Sequence, residues 1–123
     1  MATSTLKRQF GRTSGNGTVN STYCSAGELN WTLQRVGNVS IAFVRYDITF
    51  NGSYDADSGT PAVRFGDGLP KPLTSQPAQF IDNQGTSTGY KIVKVYNDGH
   101  IGPYWSGTVS GRWMGFVSYP STD

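Results

Sequence analysis

The chain has 123 residues, of which 15% are charged, 36% hydrophobic and 13% aromatic, with 16 glycines; this is one domain's worth of chain, too aromatic for a disordered tail and too poor in strong helix formers for a helical bundle. Ser and Thr together number 26 and Glu28 is the only glutamate, a mixture that predicts an all-β domain, a compact antiparallel β-sandwich or barrel. The net charge of +2 contains no basic run, which argues against a nucleic-acid partner, and a single Cys24 with a single His100 excludes an intramolecular disulfide and a Cys/His zinc site.

Residues 1–18 are polar, with Gly11, Gly15 and Gly17 close together. They are expected to form an N-terminal arm or irregular segment that carries Lys7, Arg8 and Arg12 in solvent. The head domain is then expected over 19–123. No stretch of 18 apolar residues occurs, so no membrane insertion is expected. Residues 1–10 lack an apolar core, so no secretory signal peptide is expected.

A first strand is expected over 19–26. Leu29, Trp31 and Leu33 then alternate with Asn30, Thr32 and Gln34, the period of two of a strand with one wet face. The clearest strand covers 38–50. Ala42, Val44, Tyr46, Ile48 and Phe50 share one face, which should meet the core. Ile41, Phe43, Arg45, Asp47 and Thr49 share the other, apolar at its start and polar at its end. Asn51-Gly52 signals a turn.

Residues 53–77 carry repeated Gly and Pro and read mostly as loop, with a short extended piece at 62–65. Strands are expected at 78–81 and 89–96, separated by a polar turn at 82–88. Asn97-Asp98-Gly99 reads as a tight hairpin turn. The chain returns over 100–106, and 108–110 and 112–119 form the last strands, with Gly107 and Gly111 as bends. No segment has a capped helical period.

Few constellations point to catalysis. No Gly-x-Ser-x-Gly elbow accompanies His100. Cys24 reads as a small buried apolar side chain rather than half of a Cys24/His100 pair. Asp55 and Asp57 begin like a calcium loop, but the third oxygen ligand and the closing glutamate are missing, and turn chemistry explains them. A glycosidase needs two carboxylates across one cleft, and nothing in the spacing of Asp47, Asp55, Asp57, Asp67, Asp82 and Asp98 selects a pair. The Asn-x-Ser/Thr triplets at Asn16, Asn20, Asn30, Asn38 and Asn51 reflect a composition rich in those residues. The aromatics are the informative set. A sugar offers a C–H face to a flat ring and hydroxyls to polar side chains, and the C-terminal third supplies both. Candidate saccharide-binding residues are Trp105, Tyr104 and Trp113, with Asp98, His100 and Arg112 for the hydroxyls.

Three segments carry a resemblance. The first is Arg64-Phe65-Gly66-Asp67-Gly68-Leu69-Pro70. The second is the strand Ile92-Val93-Lys94-Val95-Tyr96 leading into Asn97-Asp98-Gly99-His100-Ile101. The third is Val109-Ser110-Gly111-Arg112-Trp113-Met114-Gly115-Phe116-Val117-Ser118-Tyr119-Pro120. Together they cover about the last half of the chain. They resemble the head domain of receptor-binding tail proteins from phages of Gram-positive bacteria, of the lactococcal phage type. The resemblance implies a small β-barrel or sandwich that forms homotrimers, binds cell-wall saccharide and has no catalytic activity or cofactor. In some members a His and an Asp before the hairpin join a Trp after it in the sugar site. Ile92 and Lys94 fall where that pair would be, and cannot replace its chemistry. Tyr104 and Trp105 fall near the ring position, with Asp98 and His100 as substitutes.

The expected function is therefore a non-enzymatic phage tail adhesion module that recognises a host cell-surface saccharide. The expected setting is the virion tail tip, reached from the host cytoplasm without a signal peptide, with other tail proteins as neighbours. Shoulder and stalk regions are not expected within this sequence, which reads as an isolated head or a small tail protein. A free-standing lectin and a structural virion or tail protein with no ligand are the alternatives, with a small glycan-active enzyme behind them.

Overall fold

The computed structural model describes residues 11–52, 54–56, 64–82, 90–105 and 107–123. Among them the chain forms eleven strands and no helix: β1 (Arg12–Asn16), β2 (Thr18–Val19), β3 (Cys24–Val36), β4 (Val39–Phe50), β5 (Tyr54–Ala56), β6 (Gly66–Asp67), β7 (Gln76–Asp82), β8 (Tyr90–Val95), β9 (Ile101–Pro103), β10 (Gly107–Val109) and β11 (Arg112–Ser121). Nine of them make one antiparallel sheet in the order β1-β3-β4-β11-β7-β8-β9-β6-β2, and β10 pairs with β5.

The two ends of that order are β1 and β2, and only Gly17 separates them in the chain. The sheet therefore nearly closes on itself as a barrel, which removes most of its free edge. The closure is tight at Gly17. Its N–H donates to the Leu29 carbonyl at 2.7 Å, and a Cβ there would sit 2.5 Å from the Asp67 carbonyl oxygen. This corrects the expectation of an irregular arm over 1–18. Residues 12–16 and Thr18 are strand, paired with β3 and β6. Gly15 and Gly17 are there for close approach, a Cβ on Gly15 meeting the Trp31 ring at 2.5 Å; residues 1–10 lie outside the described residues.

Strand β4 organises the interior. Ala42, Val44, Tyr46, Ile48 and Phe50 are all buried, as the period of two predicts. Opposite residues in an antiparallel pair share a face, so Leu29, Trp31 and Leu33 join them through Tyr46, Val44 and Ala42. An aromatic stack fills the centre. Phe65 lies 5.5 Å from Phe80 and 5.8 Å from Trp105, and Phe80 lies 5.7 Å from Trp113. The buried Tyr119 hydroxyl donates to the Pro70 carbonyl at 2.6 Å.

Two strand boundaries differ from expectation. The stretch 19–26 is interrupted, because Asn20 builds a turn: its side-chain oxygen accepts from the Thr22 N–H at 3.1 Å and its Nδ2 donates to the Arg64 carbonyl at 3.0 Å. Strand β7 begins at Gln76 and contains Pro77, which pairs only with Lys94 of β8; β11 meets β7 only at Ile81 and Asp82, so no partner needs the missing Pro77 N–H. The hairpin at Asn97-Asp98-Gly99 forms as expected. Gly99 has φ +87°, and the Tyr96 carbonyl accepts from the Gly99 N–H at 2.9 Å. The acidic turn expected at 54–59 is corrected in its first half, where Tyr54–Ala56 form β5 and Asp55 pairs with Thr108 of β10; residues 57–59, residues 83–88 of the polar turn expected at 82–88 and residues 62–63 of the piece at 62–65 lie outside the described residues.

Candidate functional site

The six residues chosen from the sequence separate into three environments. Trp105 and Trp113 are core residues, 9% and 5% exposed. Trp113 alternates with Arg112 and Met114 on β11 and points inward, where its Nε1 donates to the Ser110 carbonyl at 2.8 Å. Trp105 lies nearly parallel to Phe65, at 28°. Neither ring offers a face to a sugar, which corrects the expectation for both.

His100 is also buried, at 3%, which removes it from direct sugar contact as well. Its ring stacks on Tyr96 with centroids 4.2 Å apart, and Nδ1 meets Asp98 Oδ1 at 2.5 Å. The same Asp98 oxygen accepts from the His100 N–H at 3.1 Å. Burial raises the Asp98 pKa, but the hydrogen bonds and charge of His100, with help from Arg64, outweigh it and hold the carboxyl below its usual range. Asp98 thus serves the hairpin. Tyr104 is exposed nearby, and the Lys94 ammonium sits over its ring at 4.7 Å and over Tyr96 at 5.4 Å. The hairpin therefore gathers Tyr104, Asp98 and His100, while Arg112 lies on β11, beyond β7 and β8 in the strand order.

Arg112 leads to the strongest site. The outward residues of β1, β3, β4 and β11 stand in register as rows. One row reads Asn16, Asn30, Arg45 and Phe116. The next reads Ser14, Thr32, Phe43 and Ser118. Together with Gly15 and Trp31, the two rows apart from Ser118 line a shallow depression of about 480 Å³. Phe43 and Phe116 are 40% and 62% exposed, so both rings present surface to solvent. Three strand spacings of about 4.8 Å give the row a length of roughly 14 Å.

A hydrogen-bonded chain of side chains holds this face. Arg112 is bidentate on Asp47, with Nε to Oδ1 at 2.9 Å and Nη2 to Oδ2 at 2.6 Å. Arg45 donates to Asp47 at 3.4 Å, to Glu28 at 3.2 Å and to Asn30 at 3.2 Å. Asn30 donates to Asn16 at 2.8 Å. The Arg112 hydrogen bond is the main cause that holds the Asp47 carboxyl below its usual range; desolvation opposes it, and the charges of Arg112 and Arg45 reinforce it. Fork-to-carboxylate pairing fixes orientation as well as charge, so the donors of the face are preorganised.

This face was missed because the ring content of the C-terminal third outweighed strand parity. The signal was present: Phe43 and Arg45 share the second face of 38–50, and Phe116 alternates with Trp113 and Val117. At the start of β3, burial pushes the Cys24 thiol up to about 11, so it is protonated at neutral pH. Among the described residues, no group of three or more His, Cys, Asp or Glu side chains is placed to hold a metal ion. No family model, curated protein or solved structure matches the chain.

Proposed function

We propose that the protein is a non-enzymatic saccharide-binding adhesion module, and that its sugar site is the Phe43/Phe116 depression rather than the Trp105 region. The observation that carries this reading is the pairing of two exposed rings with a fixed row of amides and a guanidinium on one open sheet face. Rings take the apolar C–H faces of a sugar, and amides and guanidinium groups take its oxygens. An open, shallow face suits an extended polymer on a cell surface better than a small molecule, which prefers a deep pocket.

The phage tail-tip setting rests on the sequence resemblance. It draws support from the way the three resembling segments meet: the Leu69 N–H donates to the Gly99 carbonyl at 3.0 Å, and Tyr119 reaches Pro70. Homotrimerisation belongs to the same proposal. Val36, Val39 and Leu73 are each more than half exposed. The Val36↔Val39 hairpin end and the Leu73 loop flank the same pair, Ser40 and Ser121, so they make one apolar end for a neighbouring copy to cover.

A glycan array carrying Gram-positive cell-wall polysaccharides tests the reading. The parent is expected to bind with weak single-site affinity, on the order of millimolar to high micromolar, strengthened by avidity in a trimer. Phe116→Ala is expected to abolish the signal with the fold intact. A parent that binds nothing on the array is a structural protein, and the reading fails. Light scattering is expected to give about three times the 13.3 kDa chain mass; a monomer at micromolar concentration removes the trimer.

A further inference from the structure

We infer that the saccharide site has a second compartment, lined by Ala26, Glu28, Asp47, Thr49 and Arg112, and that the glycan runs along β4 from the rings into it. The inference rests on the saccharide reading of this face and adds the path and length of the ligand.

Strand register carries the rows of the face past Arg45. After Asn30, Arg45 and Phe116 comes the row Glu28, Asp47 and Met114, and after that the row Ala26, Thr49 and Arg112. These two rows, Met114 apart, line a second depression of about 480 Å³. Arg45 borders both depressions, so they meet at its side chain. Among the described residues, Arg45 bonds only to side chains of the face itself, to Asn30 in its own row and to Glu28 and Asp47 in the next. Its guanidinium therefore lies along the strand as floor, and does not stand between the hollows as a wall. Asp47 is buried and held by the fork of Arg112, so it is floor as well. From Phe43 to Thr49 the track runs six steps along β4, roughly 20 Å at the rise of a strand, against roughly 14 Å for one row across the strands.

The two compartments differ in chemistry. The first presents the rings of Phe43 and Phe116. The second has no ring in its lining. Its open groups are Glu28 Oε1 and Arg112 Nη1, neither hydrogen-bonded among the described residues. Both side chains are at least half exposed. One offers an acceptor and the other a donor, and the Thr49 hydroxyl between the strands can do either. Sugar hydroxyls both give and accept, so a run of them meets this mixture. Hydrogen bonds to ionised groups are stronger than those between neutral ones. The second compartment therefore adds affinity for a glycan long enough to leave the rings and reach it.

Calorimetric titration with size-graded fragments tests this. Di-, tetra- and hexasaccharides are cut by partial hydrolysis from the polysaccharide that binds most strongly on the array. The hexasaccharide is expected to bind at least about tenfold tighter than the disaccharide, the scale of one hydrogen bond to a charged group. In isotope-labelled protein the disaccharide is expected to shift amide resonances around Phe43 and Phe116, and the hexasaccharide those of Ala26, Glu28, Thr49 and Arg112 as well. Ala26→Gln with Thr49→Gln fills the second hollow from two opposed positions. This double variant is expected to remove the hexasaccharide's advantage and leave disaccharide affinity and melting temperature unchanged. Phe116→Ala is expected to weaken every length alike. Equal affinity at all three lengths, hexasaccharide shifts confined to the first depression, or an advantage that survives the double variant overturns the second compartment and leaves the saccharide reading standing. An array with no binder removes the saccharide reading itself, and the inference falls with it.

Discussion

Trp113 and Phe116 lie three residues apart on β11, yet the first is 5% exposed and the second 62%. Trp113 faces inward with Val117 and Tyr119, against Phe80. Phe116 faces outward with Arg112 and Met114, beside Arg45. Both are rings on one strand, and parity alone assigns one to the core and the other to solvent. The inner set of Phe65, Phe80, Trp105 and Trp113 is packed ring on ring. The outer pair, Phe43 and Phe116, is spaced by polar groups and leaves ring surface free. A ring's identity therefore says little about a site until the face it occupies is known.

The largest expected effect belongs to the inner set. Trp105→Ala removes a ring stacked on Phe65 and leaves a cavity, and is expected to cost about 3–5 kcal/mol in denaturant unfolding. Trp105→Phe keeps a ring and removes an indole N–H that has no hydrogen-bond partner among the described residues, so it is expected to cost much less. A Trp105→Ala variant of parental stability breaks the comparison at its base.

Gly99→Val comes next. The position has φ +87°, and a Cβ there would sit 2.3 Å from the Leu69 carbonyl oxygen. Backbone strain and the clash together are expected to cost about 2–3 kcal/mol, read as a lowered denaturation midpoint. This would mark the Asn97-Asp98-Gly99 hairpin as a structural joint.

Asp47→Asn tests the polar frame beneath the outer rings and is expected to cost about 2 kcal/mol at neutral pH, the scale of a charge-assisted hydrogen bond. The sign follows from the lowered carboxyl pKa. The folded state binds this proton less readily than the unfolded state, so the stabilisation is present above the ordinary value near 3.8 and is lost as pH falls through the folded value. The parent is therefore expected to lose stability below about pH 4, and the difference between parent and Asp47→Asn to shrink there. A difference independent of pH would show that the Arg112–Asp47 pair is not the frame.

The smallest stability effect is expected for Phe116→Ala, within about 0.5 kcal/mol of the parent, as for an exposed residue away from the core. Its effect on saccharide binding is expected to be the largest of the four. A stability loss as great as that of Trp105→Ala would make Phe116 a packing residue and merge the two sets.

Much of the fold was legible from short-range pattern. The alternation at 38–50 selected the buried face of β4 correctly, and the Asn97-Asp98-Gly99 turn was readable from residues whose backbone preferences are local. The candidate site was less legible. Asn16, Asn30, Arg45 and Phe116 are 14, 15 and 71 positions apart in turn, and only cross-strand register makes them neighbours. Arg112 was selected from the sequence for sugar contact, and its carboxylate partner Asp47 comes from another strand.

That the chain is all-β, where its long strands alternate and which turn joins β8 to β9 are legible in the order of residues. These follow from side-chain periodicity and backbone preference, properties of a few adjacent residues. Tertiary structure alone decided that residues 12–19 close a barrel, that Trp105 and Trp113 belong to the core, and that Asn16, Asn30, Arg45 and Phe116 form one row. Those outcomes depend on strand order and register, which are set by how the whole apolar face is buried. No local stretch of residues contains that information.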